Sequence, residues 1–241
     1  MGCRVDDVDT AAATERIIAL SAGAQASHVV TLGTEMVVYA QRDATFRAIV
    51  NASALAVCDT VGLLWAARRA GARLRERVTG VELVERVCAE AARLCIPLYL
   101  LGGIGGVAQS AAQRLCERYP GLVVAGTRCG YFDEDLSAGV AAAVRESGAR
   151  ILLCGLGSPR QELWLAEHLR DTACGVGIGV GGSFDVLSDR VRRAPATWRR
   201  LGLEWLYRLT TQPHRWRRQL ALPLFVGLVA LDALRLRRAA P

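Results

Sequence analysis

No lysine occurs among the 241 residues, so all 30 basic side chains are arginine. That absence excludes the lysine of a Walker-type phosphate loop, Schiff-base chemistry and a lysine nucleophile. An arginine-favouring genome explains it more simply than selection does, and the chemical exclusion holds on either cause. Also missing is any metal-binding spacing. The eight cysteines (Cys3, Cys58, Cys88, Cys95, Cys116, Cys129, Cys154, Cys174) include no C-x-x-C pair and have no histidine cluster near them, so they read as small core residues in a reducing cytosol. Met1 leads into an acidic, Ala-rich stretch and not a basic region with an apolar core, which argues against a secretory signal. The longest late apolar run, Leu220 to Leu231, is twelve residues interrupted by Pro223 and falls short of the roughly 20 needed to span a bilayer. Internal repeats and low-complexity linkers are absent too.

What is present is enough to fold. With 52% apolar residues, the chain can bury a core without disulfides or metals, as one domain with an appendage. Its charge is unevenly placed. Residues 1–188 carry 18 arginines against 20 acidic residues, whereas residues 189–241 carry 12 against three, a net of +9. A near-neutral body with a basic tail calls for an acidic partner.

Val29 to Thr31 and Ala54 to Cys58 read as strands, with a helix over Thr45 to Asn51 between them and another over Val61 to Ala70. Further strands are expected at Pro97 to Leu101, Leu122 to Ala125, Ile151 to Cys154 and Cys174 to Val180. Helical patterns alternate with them at Val107 to Tyr119, Leu136 to Ser147 and Arg160 to Arg170. This βαβα rhythm predicts an α/β fold, a parallel Rossmann-like sheet with helices on both faces and a C-terminal helical appendage. In such a sheet the ligand crevice lies beyond the carboxyl ends of the strands, where this sequence places its glycines.

Three glycine-rich turns stand there. From Gly103 the chain reads G-x-G-x-x-A through Gly105, close to a dinucleotide fingerprint, and it opens a helix whose amides suit phosphate. No acidic residue follows the next strand to take a ribose hydroxyl, so a structural glycine turn remains open beside the binding one. Gly155 to Glu162 combines Gly157, a capping Ser158, Pro159 at the first helical position, and Arg160 and Gln161 in a first turn that faces the crevice. The third turn, Gly177 to Asp185, contains Gly181 and Gly182 and suggests close approach of backbone to ligand. Asp59 ends the second strand, where a lone carboxylate serves as a helix cap or as a base. Asp133-Glu134-Asp135 is the one D-x-D spelling and reads as a solvated acidic turn.

After Asp189 the chain becomes arginine-rich and aromatic, with Trp198, Trp205, Tyr207 and Trp216. That composition fits a segment lying in a membrane interface, with Leu224, Phe225, Leu228 and Leu231 inserted. The competing reading is a helix packed on the core.

Ten segments in order give the whole a likeness. They are T-L-G-T-E-M-V-V (Thr31 to Val38), D-T-V-G-L-L-W-A-A-R (Asp59 to Arg68), E-R-V-T-G (Glu76 to Gly80), L-L-G-G (Leu100 to Gly103), Y-P-G-L (Tyr119 to Leu122), G-Y-F (Gly130 to Phe132), G-L-G-S-P-R-Q-E, G-V-G-G-S-F-D-V-L-S, R-A-P (Arg193 to Pro195) and G-L-E-W-L-Y-R-L (Gly202 to Leu209). From about Val29 to Trp216 the set resembles the WecG/TagA/CpsF family of bacterial glycosyltransferases. The resemblance implies an inverting transferase, without metal or cofactor, that moves an N-acetylmannosamine-type sugar from a UDP-sugar donor. The implied acceptor is an undecaprenyl-diphosphate-linked sugar in cell-surface polysaccharide synthesis.

Asp59 then matches the family's base, Thr31 and Gln161 its active-site polar residues, and Arg77 an arginine of that pocket. Tyr131 and Asp185 match positions that hold the nucleotide. The appendage would meet an anionic membrane and bring arginines to the diphosphate, from among Arg192, Arg193, Arg199, Arg200, Arg215, Arg217 and Arg218. The enzyme would sit in the cytoplasm against the inner face of the membrane, with no nucleic-acid partner and with self-association left open. Two positions depart from the family pattern: Gly33 stands where asparagine is usual, and Thr60 where glycine is usual. A Rossmann-like NAD-dependent or nucleotide-sugar-modifying enzyme, and a catalytically dead membrane-surface module, are the alternatives.

Overall fold

The computed structural model describes residues 1–211, Trp216 and residues 220–239. Its sheet contains β1 (Ser27–Leu32), β2 (Leu55–Cys58), β3 (Leu98–Gly102), β4 (Val124–Arg128), β5 (Ile151–Gly155) and β6 (Val176–Gly179). These run in the spatial order β2-β1-β6-β5-β3-β4, and every pairing is parallel. The strands are apolar because both faces are covered. Val29, Leu55, Leu100, Leu153 and Ile178 point to one face, under α1 (Thr10–Ala22), α5 (Gly80–Arg93), α6 (Val107–Arg118) and α9 (Ser183–Leu187). The opposite face is split. Val30 and Leu32 lie under α2 (Thr34–Ala40), α3 (Ala44–Ala52) and α4 (Val61–Arg69), whereas Leu101, Leu152 and Cys154 lie under α7 (Ser137–Glu146) and α8 (Arg160–His168).

The expected α/β class and the succession of strands hold, with shifts of one to three residues at the ends. β4 is an edge strand whose five residues are all half-buried, so the buried Leu122 lies before it and not in it. The expected helix over Arg160 to Arg170 is α8 followed by a 3-10 turn over Leu169–Thr172. Four helices of the body were not anticipated: α1, α2, α5 and α9. Of the cysteines expected in the core, Cys58, Cys88, Cys154 and Cys174 are buried, but Cys95 and Cys116 are exposed.

The C-terminal stretch forms α10 (Ala196–Arg200), α11 (Glu204–Thr211) and α12 (Ala221–Ala239). α12 packs on α2, and Phe225 and Val229 are buried in the same apolar cluster as Met36, Val37 and Leu63. Phe225 is thus a core residue and does not insert into a membrane interface. The reason is periodicity: Phe225 and Val229 are four apart and share the inward face, leaving Leu224 and Leu231 at 49% and 56% exposure on another strip. Trp198 and Tyr207 stack edge-to-face at 5.9 Å, pairing two of the tail aromatics with each other. Among the described residues no helix is long and apolar enough to cross a membrane.

Candidate active site

The connections set the location. β3 leads through α6 outward to β4, while β5 leads through α8 the other way to β6, so the loops diverge where β3 lies beside β5. A ligand crevice opens at such a divergence. Gly102 and Gly155 face each other there; Gly102 has φ +148°, and a side chain on it would run into the Gly155 backbone. A cavity of about 230 Å³ opens beside this point, over the ends of β2, β1 and β6 and reaching the turn after β5. Thr31, Asp59, Arg77, Gln161, Gly157, Gly181 and Gly182 all line it. Seven of the eleven residues singled out from sequence therefore come together.

Asp59 follows β2 directly, and its backbone N–H donates to Leu32 O at 3.0 Å. It does not cap α4. Thr60 does, its hydroxyl accepting from Leu63 N, whereas Asp59 Oδ1 accepts from Gly80 N at 3.0 Å in the first turn of α5. A carboxylate held at a helix N-terminus is favoured as the anion, the form a base requires. The same stretch brings in Arg77, because Val78 N donates to Cys58 O at 2.8 Å and ties that loop to the end of β2. Arg77 meets Glu204 of α11 at 3.4 Å, with both side chains largely buried. Sequence reasoning did not find Glu204, which lies 127 residues away. Among the described residues the charged lining is Glu35, Asp59 and Glu204 against Arg77, three carboxylates to one guanidinium.

Thr31 and Gln161 face the cavity with their hydrogen bonds partly used. Thr31 Oγ1 donates to Gly179 O at 2.7 Å, which leaves it as an acceptor towards a ligand. Gln161 Oε1 accepts from Gly181 N at 2.9 Å and its Nε2 donates to Glu162 Oε1 at 2.7 Å, which leaves one N–H. Two details of the α8 turn differ from expectation. The cap position is Pro159 and not Ser158, whose side chain hydrogen-bonds Glu162, so Pro159 precedes the first helical residue. Arg160 turns away from the cavity, donating to Gly130 O and Phe132 O at 2.7 Å each and stacking on the Phe132 ring.

The two departures from the family pattern touch. A Cβ on Gly33 would lie 3.4 Å from the Thr60 methyl, and both residues line the cavity. A side chain is thus absent from the β1 end and present at the β2 end of one wall.

The other four residues lie outside this lining. Tyr131 is 76% exposed in a shallow groove with Arg128 and Arg160, on a loop that Arg160 fastens and that Gly130 N joins to Gly103 O at 2.8 Å. Gly103 has φ +69°, and Gly105 has open space over its α-carbon just before α6. Asp185 is half-buried in the first turn of α9. Asp133 and Glu134 are exposed on the acidic turn, as expected. Of the tail arginines, Arg193 pairs with Glu82 at 2.7 Å and Glu85 at 3.8 Å on α5, and it does not line the cavity. Arg192 is exposed; the side chains of Arg199 and Arg200, and residues 215, 217 and 218 (Arg215, Arg217 and Arg218), lie outside what is described.

A doubly covered parallel sheet with a polar cleft at its carboxyl edge, holding a carboxylate, an amide and a guanidinium, defines an enzyme of the Rossmann-like α/β class. Within that class the chain belongs to the Glycosyl transferase WecG/TagA/CpsF family, whose model matches residues 1–239. It is a glycosyltransferase, of the kind that serves cell-surface polysaccharide synthesis. This sets aside the NAD-dependent alternative.

Proposed function

We propose that the enzyme transfers an N-acetylmannosamine-type sugar, with inversion, from a UDP-sugar to a sugar carried on a lipid diphosphate, working from the cytoplasm at the membrane surface. The observation that carries this reading is the position of Asp59, anchored by Gly80 N–H in a cleft that also presents Thr31, Gln161 and Arg77. A sugar hydroxyl is too weakly acidic to attack unaided, so Asp59 accepts its proton as the bond to the anomeric carbon forms and the bond to UDP breaks. Gln161 offers an N–H and Thr31 an acceptor to the sugars in the cleft.

The nucleotide extends towards the divergence of β3 and β5. There the exposed Tyr131 ring offers a stacking face, Asp185 a partner for the base, and Gly103 and Gly105 the amide-rich start of α6 for phosphate. Charge build-up on the departing diphosphate needs cations, and the described cleft supplies Arg77 alone against three carboxylates. The remaining charge is assigned to arginines of the appendage, residues 189–241, with residues 1–188 as the catalytic core. The excess positive charge of that appendage and its exposed Leu224 and Leu231 support contact with an anionic membrane.

The decisive experiment is transfer across a panel of UDP-sugars to a short-chain lipid-diphosphate-linked N-acetylglucosamine, with and without chelator. Transfer that survives the chelator is the expected result. No transfer from any UDP-sugar, together with no UDP binding by calorimetry, would overturn the proposal.

A further inference from the structure

Glu162 is fully buried in the first turn of α8, and nothing in the reaction above uses it. A buried carboxyl is costly, and an apolar side chain in its place would cost less. Its contacts suggest what offsets the cost. Glu162 Oε1 accepts from Gln161 Nε2 at 2.7 Å, and Gln161 Oε1 accepts from Gly181 N at 2.9 Å, so both ends of the Gln161 amide are engaged. Rotating that amide by half a turn would set its nitrogen against the Gly181 N–H and its oxygen against Glu162 Oε1, two repulsive contacts for two hydrogen bonds.

Room for the pair comes from Gly179, where a Cβ would lie 2.7 Å from Gln161 Nε2 and 3.1 Å from Glu162 Oε1. Glu162 Oε2 has no hydrogen-bond partner among the described residues. Burial pushes the acid up to about 7, against the hydrogen bonds from Gln161 and Ser158 and with a contribution from Glu35. Protonated on Oε2, the carboxyl keeps Oε1 as an acceptor without a buried charge.

We propose that Glu162 is a positioning residue for glycosyl transfer, holding the Gln161 amide in the one orientation that turns an N–H into the cleft. The inference rests on the reading of Gln161 as a ligand-contacting residue. It assigns to Glu162 an effect on turnover exerted wholly through its neighbour.

The test uses the full chain, ¹⁵N-labelled, with the Gln161 side-chain amide assigned by its loss in Gln161→Met. Glu162→Gln keeps a carbonyl acceptor in the same place; Glu162→Leu removes it. Slow exchange of the Gln161 amide protons is expected in the wild type and in Glu162→Gln, with exchange about tenfold faster in Glu162→Leu, the effect of one lost buried hydrogen bond. In the transfer assay Glu162→Leu should lower kcat with the donor KM little changed, and Glu162→Gln should restore kcat. A folded Glu162→Leu protein that keeps slow exchange and full kcat would overturn the proposal, as would loss of slow exchange in Glu162→Gln. Should Glu162→Leu fail to fold, Glu162→Gln decides by itself. A wrong donor assignment appears separately, as wild-type enzyme inactive on every UDP-sugar, and leaves the amide measurement standing.

Discussion

Arg77 and Glu204 form an ion pair at 3.4 Å that joins the cleft to the first long helix of the appendage. The only guanidinium in the described cleft lining is therefore already matched by a carboxylate before any diphosphate arrives.

Two substitutions at this pair should act in opposite directions on UDP binding. Arg77→Met removes a charge-assisted contact and should weaken UDP by about tenfold or more, whereas Glu204→Gln removes the competing anion and should tighten it. Glu204→Gln should also cost roughly 1–3 kcal/mol of stability, between the values for exposed and buried pairs. Calorimetric titration with UDP reads both. Equal affinity in all three proteins would remove Arg77 from the diphosphate.

Asp59→Asn keeps an oxygen for the Gly80 N–H, so the fold should survive with UDP affinity close to the wild type. Turnover should fall by about 10²- to 10⁴-fold, as for a lost general base. Thr60, which caps α4, predicts the opposite profile: Thr60→Ala should cost about 1 kcal/mol of stability. Steady-state kinetics beside thermal melts separates the two, and an Asp59→Asn enzyme with wild-type kcat would end the assignment.

Gly33 and Thr60 touch, so their effects should not add. Gly33→Asn alone brings a side chain into contact with the Thr60 methyl; Thr60→Gly alone opens the wall. The double variant carries the pair that the family resemblance calls for and should change the order of preference among donor sugars. A four-protein cycle scored on kcat/KM for several UDP-sugars tests it, and strict additivity with an unchanged order would deny these positions a role in sugar choice.

Glu162 makes stability depend on pH. Its folded-state value of about 7 lies above the ordinary 4.5, so the folded protein holds a proton that the unfolded chain has released. Its contribution is complete below that ordinary value and is lost as pH rises through about 7, a change of up to about 3 kcal/mol. Glu162→Gln does not titrate and should gain on the wild type between about pH 5 and pH 8 in urea unfolding. His28, pushed down to about 4 by burial, slopes the other way but is common to both proteins and cancels. An identical difference at the two pH values would contradict the assignment.

Truncating before Arg192 would strip Phe225 and Val229 from the core and unfold part of the body, so it cannot test membrane contact cleanly. Leu224→Gln with Leu231→Gln changes only the exposed strip. Binding to anionic vesicles should weaken in this variant with the melting curve kept, and high salt should weaken it further. Unchanged sedimentation with vesicles would assign α12 to packing alone.

Much of the fold was legible because buried parallel strands are uniform apolar runs, and β1, β3, β5 and β6 end in or beside a glycine. The missed helices each hid a signal. α2 starts one residue after β1 and is only seven residues long, and its β-branched Val37 and Val38 weaken the helical signal. α5 carries Val81, Val84, Cys88 and Ala91 at helical spacing, masked by a glycine at its first position. In the site, Asp59, Thr31, Arg77 and Gln161 were recovered through the family likeness more than through chemistry. Glu204 and the contact of Gly33 with Thr60 were out of reach, since each depends on segments joined only by the folded chain. Glu162 reads in sequence as an ordinary solvated helix residue; burial alone sets it apart.

The pairing of β1 with β6, Val29 beside Ile178, also has a temporal meaning. The Asp59 edge and the Gln161 edge of the cleft are joined through β1 and β6, so neither can be completed until most of the chain exists. At about 5–20 residues per second of synthesis, β1 and β2 wait roughly 6–30 seconds on the ribosome with an unpaired edge. Such long-range closure slows folding and exposes a strand edge to other chains. The enzyme should depend on nascent-chain chaperones when overproduced, and a chain arrested before residue 176 should carry Asp59 without the cleft that Asp59 lines.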